Sequence, residues 1–77
     1  MLDELKITIG KVLFDLRNEK GLSQEKLANL TDLDRSYISR IERGLQNPSV
    51  GNLFSISKAL EVSPSEFVQL IENSLSK

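Results

Sequence analysis

Residues Ser23–Arg43 read SQEKLANLTDLDRSYISRIER, and their pattern decides the fold. Ser23 is a strong N-cap, and Glu25 falls in the first turn, where the helix dipole favours an anion. Leu27 and Leu30 are expected to face inward, and Ala28 is small enough for a neighbouring helix to approach closely. Thr31-Asp32 supplies a break, since aspartate is one of the few non-glycine residues tolerated in a left-handed turn. Leu33 follows as an apolar plug. Asp34 is expected to cap a further helix that stops at Gly44. At about 100° per residue, Ile38 and Ile41 mark the buried direction of that helix. Ser36, Ser39, Arg40 and Arg43 then point away from the core, with Arg35 at the edge of the exposed face. Tyr37 lies on the boundary, its hydroxyl free to reach outward. Glu42 lies near the boundary too and needs a partner.

The flanking sequence has the same helical period and no strand signal, which predicts an all-α bundle of about five helices. A first helix should run from Leu2 or Leu5 to Lys20, with Leu5, Ile9, Val12, Leu13 and Leu16 on one stripe and Gly21 at its end. Ile7 and Phe14 fall on the opposite side. They call for a second covering, from the C-terminal helix or from a second subunit. Gly10 costs about 1 kcal/mol in a helix relative to alanine, so irregular first turns are expected. Leu45-Gln46-Asn47-Pro48 reads as a loop. Ser49 caps a fourth helix whose Val50, Leu53, Ile56 and Leu60 face inward. Ser63-Pro64-Ser65-Glu66 is a capping box with proline at the first helical position, opening a fifth helix that buries Phe67, Leu70 and Ile71. Residues 1–77 read as a single domain, with the helix-turn-helix at 23–43 and helix 64–75 as the dimerisation element.

Composition removes several function classes. The 77 residues contain no histidine and no cysteine. The commonest general base, the commonest metal ligand and any disulfide framework are therefore missing. No nucleophile–base arrangement is visible, and neither a cofactor nor a metal is expected. No apolar run reaches the roughly 18 residues of a membrane span, and the N-terminus does not resemble a signal peptide. A cytoplasmic location follows. The net charge of −1 and pI near 5.3 argue against a nucleic-acid partner. The distribution of charge qualifies this: residues 1–15 and 49–77 each sum to −1, while 16–48 sum to +1. Arg35, Arg40 and Arg43 face only Glu42 within 35–47, although three arginines there would also be ordinary surface composition.

Two short helices, a tight turn and a polar outward face on the second are the features of a helix that enters the DNA major groove. Arginine bonds guanine through two donors, glutamine bonds adenine, and serine suits several base edges. Short Ser36 and Ser39 let the backbone sit deep while Arg35 and Arg40 reach past it. Tyr37 is either a base contact or packing. Arg40 and Arg43 are assigned to phosphate before base. Gln24, at the start of the preceding helix, is placed to meet a phosphate or bridge to a base. Gln46, Asn47 and Ser49 supply further phosphate contacts near a helix N-terminus.

Residues 11–62 resemble a Cro/C1-type (XRE-like) helix-turn-helix domain, with a lambda-repressor-like fold. The matching residues are Arg17, Gly21-Leu22-Ser23-Gln24-Glu25-Lys26-Leu27-Ala28, Tyr37-Ile38-Ser39, Ile41-Glu42, Gly44 and Asn47-Pro48-Ser49. The run Asp34-Arg35-Ser36-Tyr37-Ile38-Ser39, the short chain and the fifth helix resemble more narrowly the controller proteins of restriction–modification systems. The resemblance implies a bacterial or phage-encoded, nucleoid-associated transcription regulator, a repressor or activator, bound as a homodimer to a two-fold symmetric double-stranded DNA operator. RNA polymerase is a further candidate partner. It also implies an ion pair between Arg17 and Glu42; Arg17 is read as structural first, with a secondary phosphate role. A phage or plasmid repressor, an antitoxin-like regulator, or a protein-interaction module on the same fold are the alternatives. Asp32 stands where many members carry glycine. Arg40 occupies a position that varies within the family, so no base preference transfers to it. The dimer surface is assigned to Phe54, Val68, Ile71 and Leu75, with satellite core packing as the alternative.

Overall fold

The computed structural model describes residues 2–76, so the expected domain limits at 1 and 77 lie outside the described residues. Five helices follow one another: α1 (Leu2–Glu19), α2 (Gln24–Thr31), α3 (Arg35–Glu42), α4 (Val50–Ala59) and α5 (Pro64–Leu75). Sequence-encoded caps set most of their boundaries. The Ser23, Ser49 and Ser63 hydroxyls accept from the backbone N–H groups of Lys26, Asn52 and Glu66, each at 3.0 Å. Glu66 completes the capping box by accepting from the Ser63 N–H at 3.1 Å. Asp34 occupies the N-cap position of α3 but makes no side-chain capping bond, contrary to the expectation for it.

The helix ends are equally local. Gly21 at φ 68° and Gly44 at φ 74° take left-handed turns. Each sends two N–H bonds back into its helix: Gly21 to Asn18 and Leu22 to Arg17, then Gly44 to Ile41 and Leu45 to Arg40. This is the crossed bonding that satisfies terminal carbonyls. α1 consequently ends at Glu19, one residue before the expected Lys20. Asp32 takes the left-handed conformation at φ 59°, as its position between α2 and α3 demands, and Thr31 remains the last residue of α2.

α1 packs against α3 and α5, α2 against α3 and α4, and α4 against α5. The core holds Ile9, Val12, Leu13 and Leu16 from α1, Leu27 and Ala28 from α2, Ile38 and Ile41 from α3, Ile56 and Leu60 from α4, and Phe67 and Ile71 from α5. Leu27, Ile38, Ile41 and Leu60 are wholly inaccessible, and each contributes about 1.5–3 kcal/mol through burial. Leu5, Leu22, Leu33, Tyr37 and Leu53 close the margins.

Gly10 has a different role from the one its helix propensity suggests. α1 is helical from Leu2 through Glu19 with no irregular turn. A Cβ built at Gly10 would lie 2.5 Å from the Ile41 carbonyl oxygen and 2.7 Å from that of Glu42. The missing side chain lets α1 rest directly on the C-terminal backbone of α3.

Several inward assignments are corrected. Leu30, Val50 and Leu70 are exposed. Leu30 lies about 110° from the centre of the Leu27–Ala28 stripe, and Val50 about 90° from that of Leu53, Ile56 and Leu60. Helices this short, eight residues in α2 and ten in α4, do not bring that flank under a neighbour. Ile7 and Phe14 are half exposed. α5 does not cover them, because its Leu70 and Ser74 lie along the Val12 and Leu16 side of α1.

Candidate nucleic-acid interface

α3 is held from behind by an ion pair. Arg17 donates from Nε to Glu42 Oε2 at 2.6 Å and from Nη2 to Glu42 Oε1 at 3.0 Å; its Nη1 donates to the Leu22 carbonyl at 2.7 Å. Both side chains are at most 10% exposed. The hydrogen bonds to Glu42 raise the Arg17 pKa above its already high ordinary value, outweighing the opposing effect of burial. Three of the five Arg17 N–H groups are bonded within the protein and the side chain is 10% exposed, which suits its structural role. The pair joins the C-terminal half of α1 to the end of α3 and balances the one carboxylate among the α3 arginines.

The outward face of α3 is largely as periodicity predicts. Arg35, Ser36 and Arg43 are exposed; Tyr37, Ser39 and Arg40 are half-buried. Arg43 Nε lies 3.4 Å from the Ser39 carbonyl, a weak contact that leaves the guanidinium accessible. The groups expected on either side of the helix reach it. Gln24, from the first turn of α2, donates to Glu42 Oε1 at 3.0 Å and accepts from Arg35 Nη1 at 3.4 Å. Gln46, from the loop after α3, accepts from Arg40 Nε at 2.8 Å. Asn47 and Ser49 are exposed beyond it, and the Ser49 oxygen caps α4.

Tyr37 shows how two roles combine. Its ring packs against the core and lies under the Arg40 guanidinium at 5.9 Å. Its hydroxyl accepts from Asn52 Nδ2 at 2.9 Å. Asn52 went unnoticed in the sequence because nothing local marks it; it matters only because α4 begins beside Tyr37. The bond leaves the Tyr37 O–H free to donate.

Chemically this is a strip of guanidinium, hydroxyl and amide groups on a helix whose opposite side is fully buried. It can present donors and acceptors to base edges with basic groups for phosphates around them. Among the described residues no cluster of three or more potential metal ligands occurs, and no helix is long and apolar enough to cross a membrane.

The fold and this face together define a helix-turn-helix protein. Residues 13–67 match the family described as helix-turn-helix, and the chain belongs to that family. Within it, the chain is similar to control protein C.MunI of Mycoplasma sp, with 46% identity over 72 residues, 92% of this chain and 97% of that one. It is also similar to control protein C.BamHI of Bacillus amyloliquefaciens, 44% identical over 69 residues, 88% of this chain and 85% of that one. The solved tetramer of the restriction-modification controller protein C.Esp1396I in complex with its natural 35 base-pair operator matches with a TM-score of 0.85. It is 40% identical, covering 95% of this chain and 96% of that one.

Two of the four residues assigned to a dimer surface, Phe54 at 56% and Val68 at 48%, are strongly exposed, and Leu75 is exposed at 40%. Ile71 is buried at 7% and belongs to the core of the monomer. It lies one helical turn from Phe67 on the inner side of α5, and its neighbours on the outer side are the exposed ones. Phe54, Ser55, Lys58, Val62 and Pro64 line an open groove of about 450 Å³.

Proposed function

We propose that this protein is a sequence-specific double-stranded DNA-binding transcriptional regulator that acts as a homodimer on a palindromic operator and controls a restriction–modification system. The observation that carries the reading is the α3 face. Arg35, Ser36, Tyr37, Ser39, Arg40 and Arg43 are presented on a helix whose other side is buried, with Gln24 and Gln46 bonded to its arginines from both flanks. In this reading Arg35, Ser36 and Ser39 read bases, Tyr37 contributes its free O–H, and Arg43, Asn47 and Ser49 hold phosphates. Its kinship with control proteins supports the controller role.

A dimer gives this small interface its affinity. One short helix reads only a few base pairs, whereas two half-sites one DNA turn apart, about 34 Å, combine their contacts. Phe54, Val68 and Leu75 supply the apolar patch for the contact. The protein acts in the cytoplasm and carries out no catalysis; both points rest on the regulator family to which it belongs.

In-vitro selection of duplexes from a random pool tests the reading. A two-fold symmetric consensus with half-sites about one turn apart is expected. Failure to enrich any sequence over bulk DNA at moderate salt would sink it.

A further inference from the structure

The polarity of the Gln24 amide is dictated by its neighbours. On one side lies the Glu42 carboxylate, which only accepts, and Gln24 Nε2 faces it at 3.0 Å. On the other lies the Arg35 guanidinium, which only donates, with Nη1 3.4 Å from Gln24 Oε1. Both demand the same orientation: amino group inward, carbonyl outward. Glu42 is itself immobilised by Arg17 through bonds of 2.6 and 3.0 Å. An unbroken chain of bonds thus runs from a buried arginine on α1, through Glu42 and Gln24, to the exposed arginine at the front of α3.

We propose that Glu42 is a positioning residue for base reading: by fixing the Gln24 amide it makes Gln24 an acceptor toward the groove and aims the Arg35 guanidinium. This rests on the assignment of Arg35 to a base. Glu42 is buried behind Gln24 and acts only through it. Three consequences follow from the chemistry. The Arg35 side chain is partly ordered before binding, which reduces the entropy it loses on reaching a base. The Gln24–Arg35 bond is long enough to yield when a better acceptor, such as the O6 and N7 edge of guanine, comes within reach. And Gln24 does not read adenine through both ends of its amide, because its amino group is held by Glu42.

Glu42→Gln reverses the arrangement. The substituted amide has one acceptor, which the two inward-facing donors of Arg17 claim; its amino group then faces Gln24. Gln24 must turn its carbonyl inward and present its amino group to Arg35, setting donor against donor. Base discrimination at the operator position that responds to Arg35→Ala is expected to fall about tenfold in Glu42→Gln. Gln24→Met, which leaves the Arg17–Glu42 pair in place, is expected to produce a similar loss. In the Gln24→Met background, Glu42→Gln should cause no further loss of discrimination.

The experiment is a competition assay on the selected operator and its single-base variants, for Arg35→Ala, Glu42→Gln, Gln24→Met, the Gln24→Met/Glu42→Gln double variant and the unmodified chain, with folded fraction measured alongside. A Glu42→Gln effect that is equal on every duplex, or that persists undiminished without Gln24, would mean that Glu42 only stabilises the fold and would overturn the proposal. If Glu42→Gln does not fold, Gln24→Met decides alone: retained discrimination and unchanged Arg35 side-chain mobility by ¹⁵N NMR overturn the proposal, and loss of both upholds it. If the unmodified chain selects no sequence, the DNA-binding reading falls as well. If it selects an operator that the variants read equally well, only the positioning role falls.

Discussion

Replacing Gly10 with alanine separates helix propensity from tertiary fit, because the two predict opposite signs. Propensity alone favours alanine by about 1 kcal/mol at a mid-helix glycine. Here the added Cβ would meet the Ile41 carbonyl oxygen at 2.5 Å, the Glu42 oxygen at 2.7 Å and the Glu42 carbonyl carbon at 3.0 Å. These are roughly 1 Å inside ordinary van der Waals separation. The opposing atoms are backbone at the end of α3, so no side chain can rotate aside. Overpacking of this kind costs about 1–3 kcal/mol, and the immobile backbone places it at the upper end. After the propensity gain, Gly10→Ala is expected to lose about 1–2 kcal/mol. Gly51, on the first turn of α4, meets nothing within 4 Å, and Gly51→Ala is expected to gain about 0.5–1 kcal/mol. With a urea m-value of about 1 kcal/mol/M for so small a domain, the two midpoints should move in opposite directions by about 1–2 M and 0.5–1 M. Urea unfolding followed by circular dichroism reads both. A Gly10→Ala protein as stable as the parent, or more stable, would refute the claim that α1 sits on the α3 backbone.

Arg17→Met should cost about 3–5 kcal/mol by stranding a buried carboxylate, a large part of the roughly 4–12 kcal/mol expected of a chain this size; a loss under about 1 kcal/mol in thermal unfolding would contradict the burial of the pair. Because the hydrogen bonds to Glu42 raise the Arg17 pKa above its ordinary high value, its stabilisation is fully present below that ordinary value and is lost only as pH climbs beyond it, so unfolding midpoints should show no loss from Arg17 between about pH 6 and 10. On DNA, Arg35→Ala should cost about 1–3 kcal/mol and relax one base position, whereas Arg43→Ala should weaken all sequences alike and lower the salt slope by about one; equal behaviour of the two would undo the division between base and phosphate roles. Val68→Asp, at an exposed position, should leave stability nearly unchanged yet give monomers in sedimentation and at least about tenfold weaker operator binding. Ile71→Ala, in contrast, should lose about 2–5 kcal/mol by emptying core volume; intact stability there would return Ile71 to the subunit surface.

Most of what organises this molecule was legible along the chain because it is local. A serine or a capping box satisfies N–H groups two or three residues away, and a glycine in a left-handed turn satisfies carbonyls of the helix it ends. Periodicity finds Ile38 and Ile41 because two residues three apart define a direction, and the reading face follows as its opposite. The same rule assigned Leu30, Val50 and Leu70 inward and failed, since direction along one helix says nothing of how far the covering helix extends. Ile71 fits two patterns, the buried side of α5 and the apolar dimer surface, and only the first holds, because Phe67, four residues before it, marks the inner side of α5.

What the sequence by itself determined is therefore the set of helices, their ends and the polar face of Ser23–Arg43. Only the tertiary structure decided what those helices do to each other. It shows that Gly10 is a contact surface, that Asn52 bonds Tyr37 from α4, and that Gln24 and Glu42, eighteen residues apart, share a hydrogen bond. Such facts depend on distances between segments, which are set by the shape of the whole core and by no short stretch of residues within it.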